Sequence, residues 1–240
     1  MKTLYAKDPD HRALNEAVRR AGDSVRITGC LGQRFIGAGM SGIRIEIDGI
    51  PGNALGAYLN GAEITVDGNA QDAVGDTMNG GRIVVHGSIG DAAGYAMRGG
   101  EIFVRDDAGY RAGIHMKEYR DKVPVLVIGG CAGSFLGEYQ AGGVILVLGL
   151  NADGRRIVGD FPCTGMHGGR MVLRGTCGGI VLPPQVTARP ASPEDMEAFR
   201  PYIEAYAALF GKEAGEILDS PFTVVTPDSA NPYRRMYVEN

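Results

Sequence analysis

Short runs of alternating apolar and polar residues recur along most of the chain, always in the same phase. The apolar pairs are Ile45/Ile47, Ile64/Val66, Ile83/Val85 and Ile102/Val104, then Leu126/Ile128, Ile145/Val147 and Met171/Leu173. Alternation of this kind over about five residues predicts a half-buried strand. Glycines punctuate the runs at nineteen-residue spacing: Gly37, Gly56, Gly75, Gly94 and Gly113 form one series, and Gly42, Gly61, Gly80 and Gly99 a second. Gly49, Gly68 and Gly87 close three units, and Asp106 stands where the next closing glycine belongs. Two longer units repeat the triplet as Gly137, Gly142 and Gly149 and around Cys163, Gly168 and Gly175, after insertions near "KEYRDKVP" and "NADGRRI".

Strands of identical phase exclude a hairpin meander. Connections without helical periodicity exclude βαβ units and a doubly wound sheet. The pattern predicts an all-β solenoid, a parallel β-helix of about seven coils, with identical side chains stacked inward at about 4.8 Å spacing. Met40, Leu59, Met78, Met97 and Met166 fall at one such inward position, and glycine marks corners that need positive φ or close approach to the next coil. On this reading Gly80 is a corner glycine whose replacement by valine destabilises the fold.

Both ends of a solenoid need covering. "DHRALNEAVRRAG" predicts a short helix ending at Gly22. After Pro183 and Pro184, Ser192, Pro193 and Asp195 form a helix-start signature. Met196, Phe199, Ile203, Tyr206 and Phe210 then recur at helical spacing until Gly211, and a shorter helix through "EAGEIL" and an irregular tail, "TPDSANPYRRMYVEN", follow. The division is an N-terminal helical cap over 1–22, the β-helix over 23–182, and a C-terminal helical segment and tail over 183–240.

The outward strand positions fall into two kinds. Arg44, Glu46, Asp48, Glu63 and Asp67 predict a solvated face, whereas Val84, Phe103, Val125, Val127, Val144, Leu146 and Leu148 form an apolar stripe that something must cover. The C-terminal helix and a partner subunit are the two candidate covers. Because one helix is narrow, part of the stripe, around Phe103 and Leu146, is expected to dock a partner.

Composition narrows the class of protein. Glycine supplies 38 of 240 residues without a collagen period, and 44% apolar with 22% charged content indicates a globular chain. A net charge of −4 and the lack of a basic run argue against nucleic-acid binding. The N-terminus lacks an apolar signal core, and the longest apolar run, "VILVLGL", is too short to cross a bilayer. Cys30, Cys131, Cys163 and Cys177 are scattered without a CxxC pair, which fits a cytoplasmic chain with reduced thiols.

Candidate chemistry is sparse. "GAGMSG" and "GGCAGSFLG" are glycine-rich, but no helical pattern follows them, as a dinucleotide loop requires. Among His11, His86, His115 and His167 there is no HxH, HExxH or His/Cys pair at zinc spacing. His86 lies in the outward phase and reads as a surface imidazole. His115 and His167 lie in the two irregular coils, where a structural role competes with an independent enzyme site. Asn53, Asp72 and Asp91 share a repeat position; turn residues bonded to backbone are favoured there over a cation site. No catalytic, cofactor-binding or metal-binding residue is assigned.

"LNEAVRRAGDSVRITGCLGQRFIGAGM", "GNAQDAVGDTMNGGRIVVHG", "AGYRAGIHMKEY" and "GSFLGEYQAGG" resemble the glycine-repeat (GXGXG) domain of the glutamate synthase large subunit, in a stand-alone form. The resemblance covers nearly the whole chain. More distantly, the repeats are similar to those of the repeat-bearing subunit of formylmethanofuran dehydrogenase and of the related formyltransferase/hydrolase complex. The resemblance and the coil length imply a right-handed solenoid. The glutamate synthase likeness further implies a non-catalytic scaffold in a complex that makes glutamate from glutamine and 2-oxoglutarate, packed against glutaminase and FMN-binding synthase subunits. FMN and the iron–sulfur cluster would belong to those partners: residue 2 here is Lys2, so no N-terminal cysteine nucleophile arises, and no three-cysteine cluster motif is present. The alternative is a scaffold in a formyltransferase-like or other redox complex.

Overall fold

The structure is a computed structural model and describes residues 1–6 and 10–230. In chain order it contains β1 (Lys2–Tyr5), α1 (His11–Arg19), β2 (Ser24–Leu31), β3 (Arg44–Ile50), β4 (Asn60–Asp67), β5 (Asn79–Val85) and β6 (Gly99–Val104). Then follow β7 (Val125–Ile128), β8 (Ala141–Val147), β9 (Gly168–Arg174), β10 (Val186–Pro190), α2 (Pro193–Phe210), α3 (Ala214–Leu218) and β11 (Phe222–Pro227). Neighbours from β1 to β9 pair in parallel, with Ile45, Ile64, Ile83, Ile102, Leu126, Ile145 and Met171 in one continuous register. The result is a parallel β-solenoid of about seven turns.

The sheet runs beyond the boundaries expected from sequence. β1 extends it within residues 1–22, and β11 and β10 continue it past β9 as antiparallel strands. The tail from Thr226 therefore begins inside a strand; its residues 231–240 lie outside the described residues. α1 buries Leu14 and Val18 against the first coil and is capped by Asp10, whose carboxylate accepts from Arg12 N at 2.9 Å.

Inside, the expected ladders are buried: the strand pairs, and Met40, Leu59, Met78, Met97 and Met166. Two further members of the methionine column are Met116, nineteen residues after Met97, and Gln140, which the insertion displaces. Gln140 is fully buried, and its Nε2 donates to the carbonyls of Gly142 and Gly143 at 3.2 and 3.1 Å. Those residues lie where the β8–β9 register slips, so the amide satisfies carbonyls that the slip takes out of the ladder.

The corners form a second hydrogen-bonded stack. Seven five-residue turns, at 35–39, 54–58, 73–77, 92–96, 111–115, 135–139 and 161–165, place their first, third and fifth residues in the left-handed region. For a non-glycine residue this costs on the order of 1 kcal/mol. The alternation aims successive amides in opposite directions along the solenoid: Ala54 N and Tyr58 N donate to Asp72 O and Asp76 O of the next coil, at 2.9 and 2.7 Å, while Gly56 N donates back to Ile36 O at 2.8 Å. Each net hydrogen bond offsets about as much as the strained backbone costs.

The third position also faces the core. A Cβ on Gly75 would lie 2.4 Å from Ile102 Cδ1, so the isoleucine of the following coil excludes a side chain. Cys163 holds that position in the last corner, where no further coil supplies such an isoleucine, and its Sγ rests 3.5 Å from Met171 Sδ. Gly80 is not strained in this way: its added Cβ would find nothing nearer than 3.9 Å. The strained residue is Gly81, with φ +97° and an added Cβ 2.2 Å from Ala62 O. The one-residue slip between β4 and β5 moves the constraint along, so the expectation for Gly80 transfers to its neighbour.

α2 begins as its sequence signature predicts. Ser192 caps it in a complete capping box with Asp195, and Gly211 ends it in the left-handed conformation. It lies on the outer face of the later strands. Phe199, Ile203, Tyr206 and Ala207 pack there with Phe103, Val125, Val127, Val144, Leu146 and Val172. Phe103 and Leu146 are both 0% exposed, so the expected partner dock on the stripe is overturned. The helix suffices because α3 and Phe222 widen the cover, adding Ile217 and Val224 to the same cluster.

Candidate functional site

Two surfaces of the solenoid remain open. The first is the outer face of β2–β4, where Arg26 forks onto Asp48 with two 3.0 Å bonds and Arg44 meets Glu63 at 3.2 Å. Arg26, Glu46, Asp48, Thr65, Asp67 and His86 line a shallow open groove there. His86 closes the groove edge-on against Phe210 at 5.1 Å, a packing contact at the end of α2. Mutually paired, exposed ions of this kind form a solvated surface.

The second is the corner stack over its last three turns. The first turn carries Phe35 at the first position and the next three carry Ala54, Ala73 and Ala92; the last three carry Arg111, Phe135 and Phe161. The Arg111 guanidinium sits 4.9 Å over the Phe135 ring, and Phe135 stacks on Phe161 at 5.3 Å. Glu138 holds Arg111 from the side at 3.3 Å. At the fifth position His115 stacks on Tyr139 at 5.1 Å with an 8° interplanar angle, and Tyr95 meets His115 edge-on at 5.9 Å. Phe161 is 63% exposed. Aromatic rings with an arginine, set on rigid backbone, have the character of a protein-binding hot spot.

The structure separates the two histidines singled out in the sequence. His115 belongs to this ring stack, while His167 turns its Nδ1 to Gly165 O, 2.9 Å away in its own corner. Asp72 and Asp91 bond backbone, as expected, but in the next coil and not in their own turn: their Oδ1 atoms accept from Asp91 N and Tyr110 N at 2.9 and 2.8 Å. Among the described residues no group of three or more His, Cys, Asp or Glu is arranged to hold a metal. Burial pushes the Cys30 and Cys163 thiols up to about 11 and 12, and raises Cys131 and Cys177 as well, so none is an activated thiolate. The Phe135/Phe161 column escaped the sequence reading because the insertions put its members 24 and 26 residues apart instead of nineteen. No helix among the described residues is long and apolar enough to cross a membrane.

A solenoid of glycine-cornered coils with helical covers defines a repeat-solenoid class. A family model described as the GXGXG motif matches residues 12–228, and the chain belongs to that family. An uncharacterized protein of Methanocaldococcus jannaschii is 44% identical over 248 residues, covering 98% of this chain and 95% of its own. A chain in the crystal structure of the formyltransferase/hydrolase complex of Methylorubrum extorquens with methylofuran has a TM-score of 0.60, at 22% identity. That match spans 82% of this chain and 71% of the other, and it is a likeness of fold.

Proposed function

We propose that this chain is a non-catalytic scaffold subunit of a glutamate synthase-type complex that makes glutamate from glutamine and 2-oxoglutarate. On this reading it seats glutaminase and FMN-binding synthase subunits, which carry the flavin and the iron–sulfur cluster. The observation that carries it is the extent of the repeat module: the GXGXG match spans 12–228 and takes in the solenoid, α2 and α3. The residues that break the repeat are surface aromatics, suited to contact with another protein.

Reconstitution tests the reading. Purified glutaminase and FMN-binding synthase subunits from the same source should form a stable complex with this chain and gain glutamine-dependent glutamate synthesis when it is added. The chain alone should bind neither FMN nor iron. A stoichiometric chromophore on the isolated chain, or unchanged synthesis without it, would sink the proposal. The likeness of fold to a chain of a formyltransferase/hydrolase complex favours a second reading, a scaffold for formyl-transfer subunits. Assembly with those subunits and not with the synthase would select it.

A further inference from the structure

The corner stack is closed at one end of the solenoid and open at the other. In six corners the first-position amide donates to the coil above: Phe35 to Asn53 O, Ala54 to Asp72 O, Ala73 to Asp91 O, Ala92 to Tyr110 O, Arg111 to Ser134 O and Phe135 to Asp160 O, at 2.7–3.0 Å. Below the first coil no described residue supplies such a main-chain donor for Arg34 O and Ala38 O. α1 supplies the substitutes, Asn15 Nδ2 to Arg34 O and Arg19 Nη2 to Ala38 O, each at 3.0 Å. The chain thus closes its lower corner edge with its own side chains.

Among the described residues nothing equivalent closes the first-position column at the upper edge. The Phe161 N–H, seventh in the column, meets no acceptor among the described residues. Gly165, at the fifth position of the same turn, is buried, whereas Phe161 is 63% exposed. The Phe161 ring ends the Arg111–Phe135–Phe161 column, and it is held at φ +58° where three earlier corners accept alanine; Phe35, at this position in the first corner, packs on His11 of α1 at 5.8 Å. A strained, exposed aromatic beside an open donor is not a demand of the corner geometry.

We infer that this upper corner docks an extended segment of a different protein, which offers a main-chain carbonyl to Phe161 N–H and an apolar or aromatic side chain to the Phe161 ring. The segment would act as one more rung on the corner stack, an edge addition of the kind that sheets use to bind peptides. A second copy of the chain does not fit. Stacking end to end in the same direction needs the carbonyls that Asn15 and Arg19 already occupy, and a two-fold contact between upper ends brings together corners whose carbonyls, Asp160 O and Thr164 O, are already taken by Phe135 N and Tyr139 N.

The inference rests on the reading of the chain as part of a complex, and hydrogen exchange on the reconstituted complex tests it. The Phe161 amide should exchange rapidly in the free chain and at least tenfold more slowly in the complex, while the Phe135 amide stays slow in both. Phe161→Gly suits the left-handed backbone and should keep its unfolding midpoint, yet bind the partner subunits at least tenfold more weakly. If the complex forms with Phe161 unprotected and Phe161→Gly binds as well as wild type, the docking inference fails and the scaffold reading stands. A dimer of the chain alone that protects Phe161 would overturn the inference in favour of a second copy. Failure of the wild-type chain to bind any synthase or formyl-transfer subunit would overturn both.

Discussion

The outer face of β2–β4 and the outer face of β6–β9 are built from the same strand geometry and have opposite fates. The first carries Arg26, Glu46, Asp48 and Glu63, exposed or half-buried and tied in ion pairs; the second carries Phe103, Val127, Leu146 and Val172, fully buried beneath α2. Inward positions are the same across both. The difference teaches that the solenoid's interior is set coil by coil, whereas its exterior is set by where α2 comes to rest. α2 ends at the boundary between the two faces: Phe210 reaches His86, beside the first strands with a charged face.

The largest break in the comparison is to make the second face resemble the first. Leu146→Asp should destabilise the chain by more than about 4 kcal/mol, because it buries an unpaired carboxylate and removes apolar contact with α2. Denaturant midpoints measure this. A soluble variant with the wild-type midpoint would show that the stripe is not the bed of the helix.

A smaller effect is expected at the foot of the helix. Tyr206 Oη donates to Arg105 O at 2.8 Å, an attachment that links residues 101 apart. Tyr206→Phe should cost about 1–2 kcal/mol, through the lost bond and the unsatisfied carbonyl. Gly129 makes this approach possible, since a Cβ there would lie 1.8 Å from the Tyr206 hydroxyl.

Acid should loosen the start of the helix. The Arg189 guanidinium, followed by the Ser192 amide and hydroxyl, holds the Asp195 carboxyl well below the usual carboxylate range. Its folded pKa is therefore depressed relative to an unfolded value of about 3.9. The stabilisation is complete above about pH 4 and is lost as pH falls through the folded value. Wild type should lose more stability than Asp195→Asn between pH 7 and pH 3; equal losses would remove the helix start from the account.

The smallest effect belongs to the charged face. Arg44→Ala, at a pair with both side chains more than half exposed, should shift stability by no more than about 0.5 kcal/mol. A larger loss in the isolated chain would mean that this face contributes to the fold after all.

Much of the comparison could be read from the amino-acid order, and the unread part has physical reasons. Ile45 through Leu173 declare their register because a period of nineteen and an alternation of two leave one way to stack. Ser192, Pro193 and Asp195 declare a helix because capping is a local interaction. Which surface covers Phe103 and Leu146 is not local, and an apolar stripe looks the same beneath a helix or a partner. β10 and β11 went unseen because "VTARP" and "FTVVTP" are short and pair antiparallel, outside the repeat. The Gly80–Gly81 pair conceals which residue is strained, since only the register slip decides it. The ring column at Phe135 and Phe161 was scattered by the insertions, and an open donor at Phe161 is a property of the stack's end.

The long reach from Tyr206 back to Arg105 has a consequence for the order of events during synthesis. Each coil needs only its predecessor, so β2–β9 can add coil by coil as the chain leaves the ribosome. The stripe around Phe103 is then formed about a hundred residues before the helix that covers it exists. At synthesis rates of about 5–20 residues per second, it stays bare for roughly 5–20 seconds. A nascent chain stalled in that interval presents a finished but sticky solenoid, and that half-made molecule is the form most in need of a chaperone.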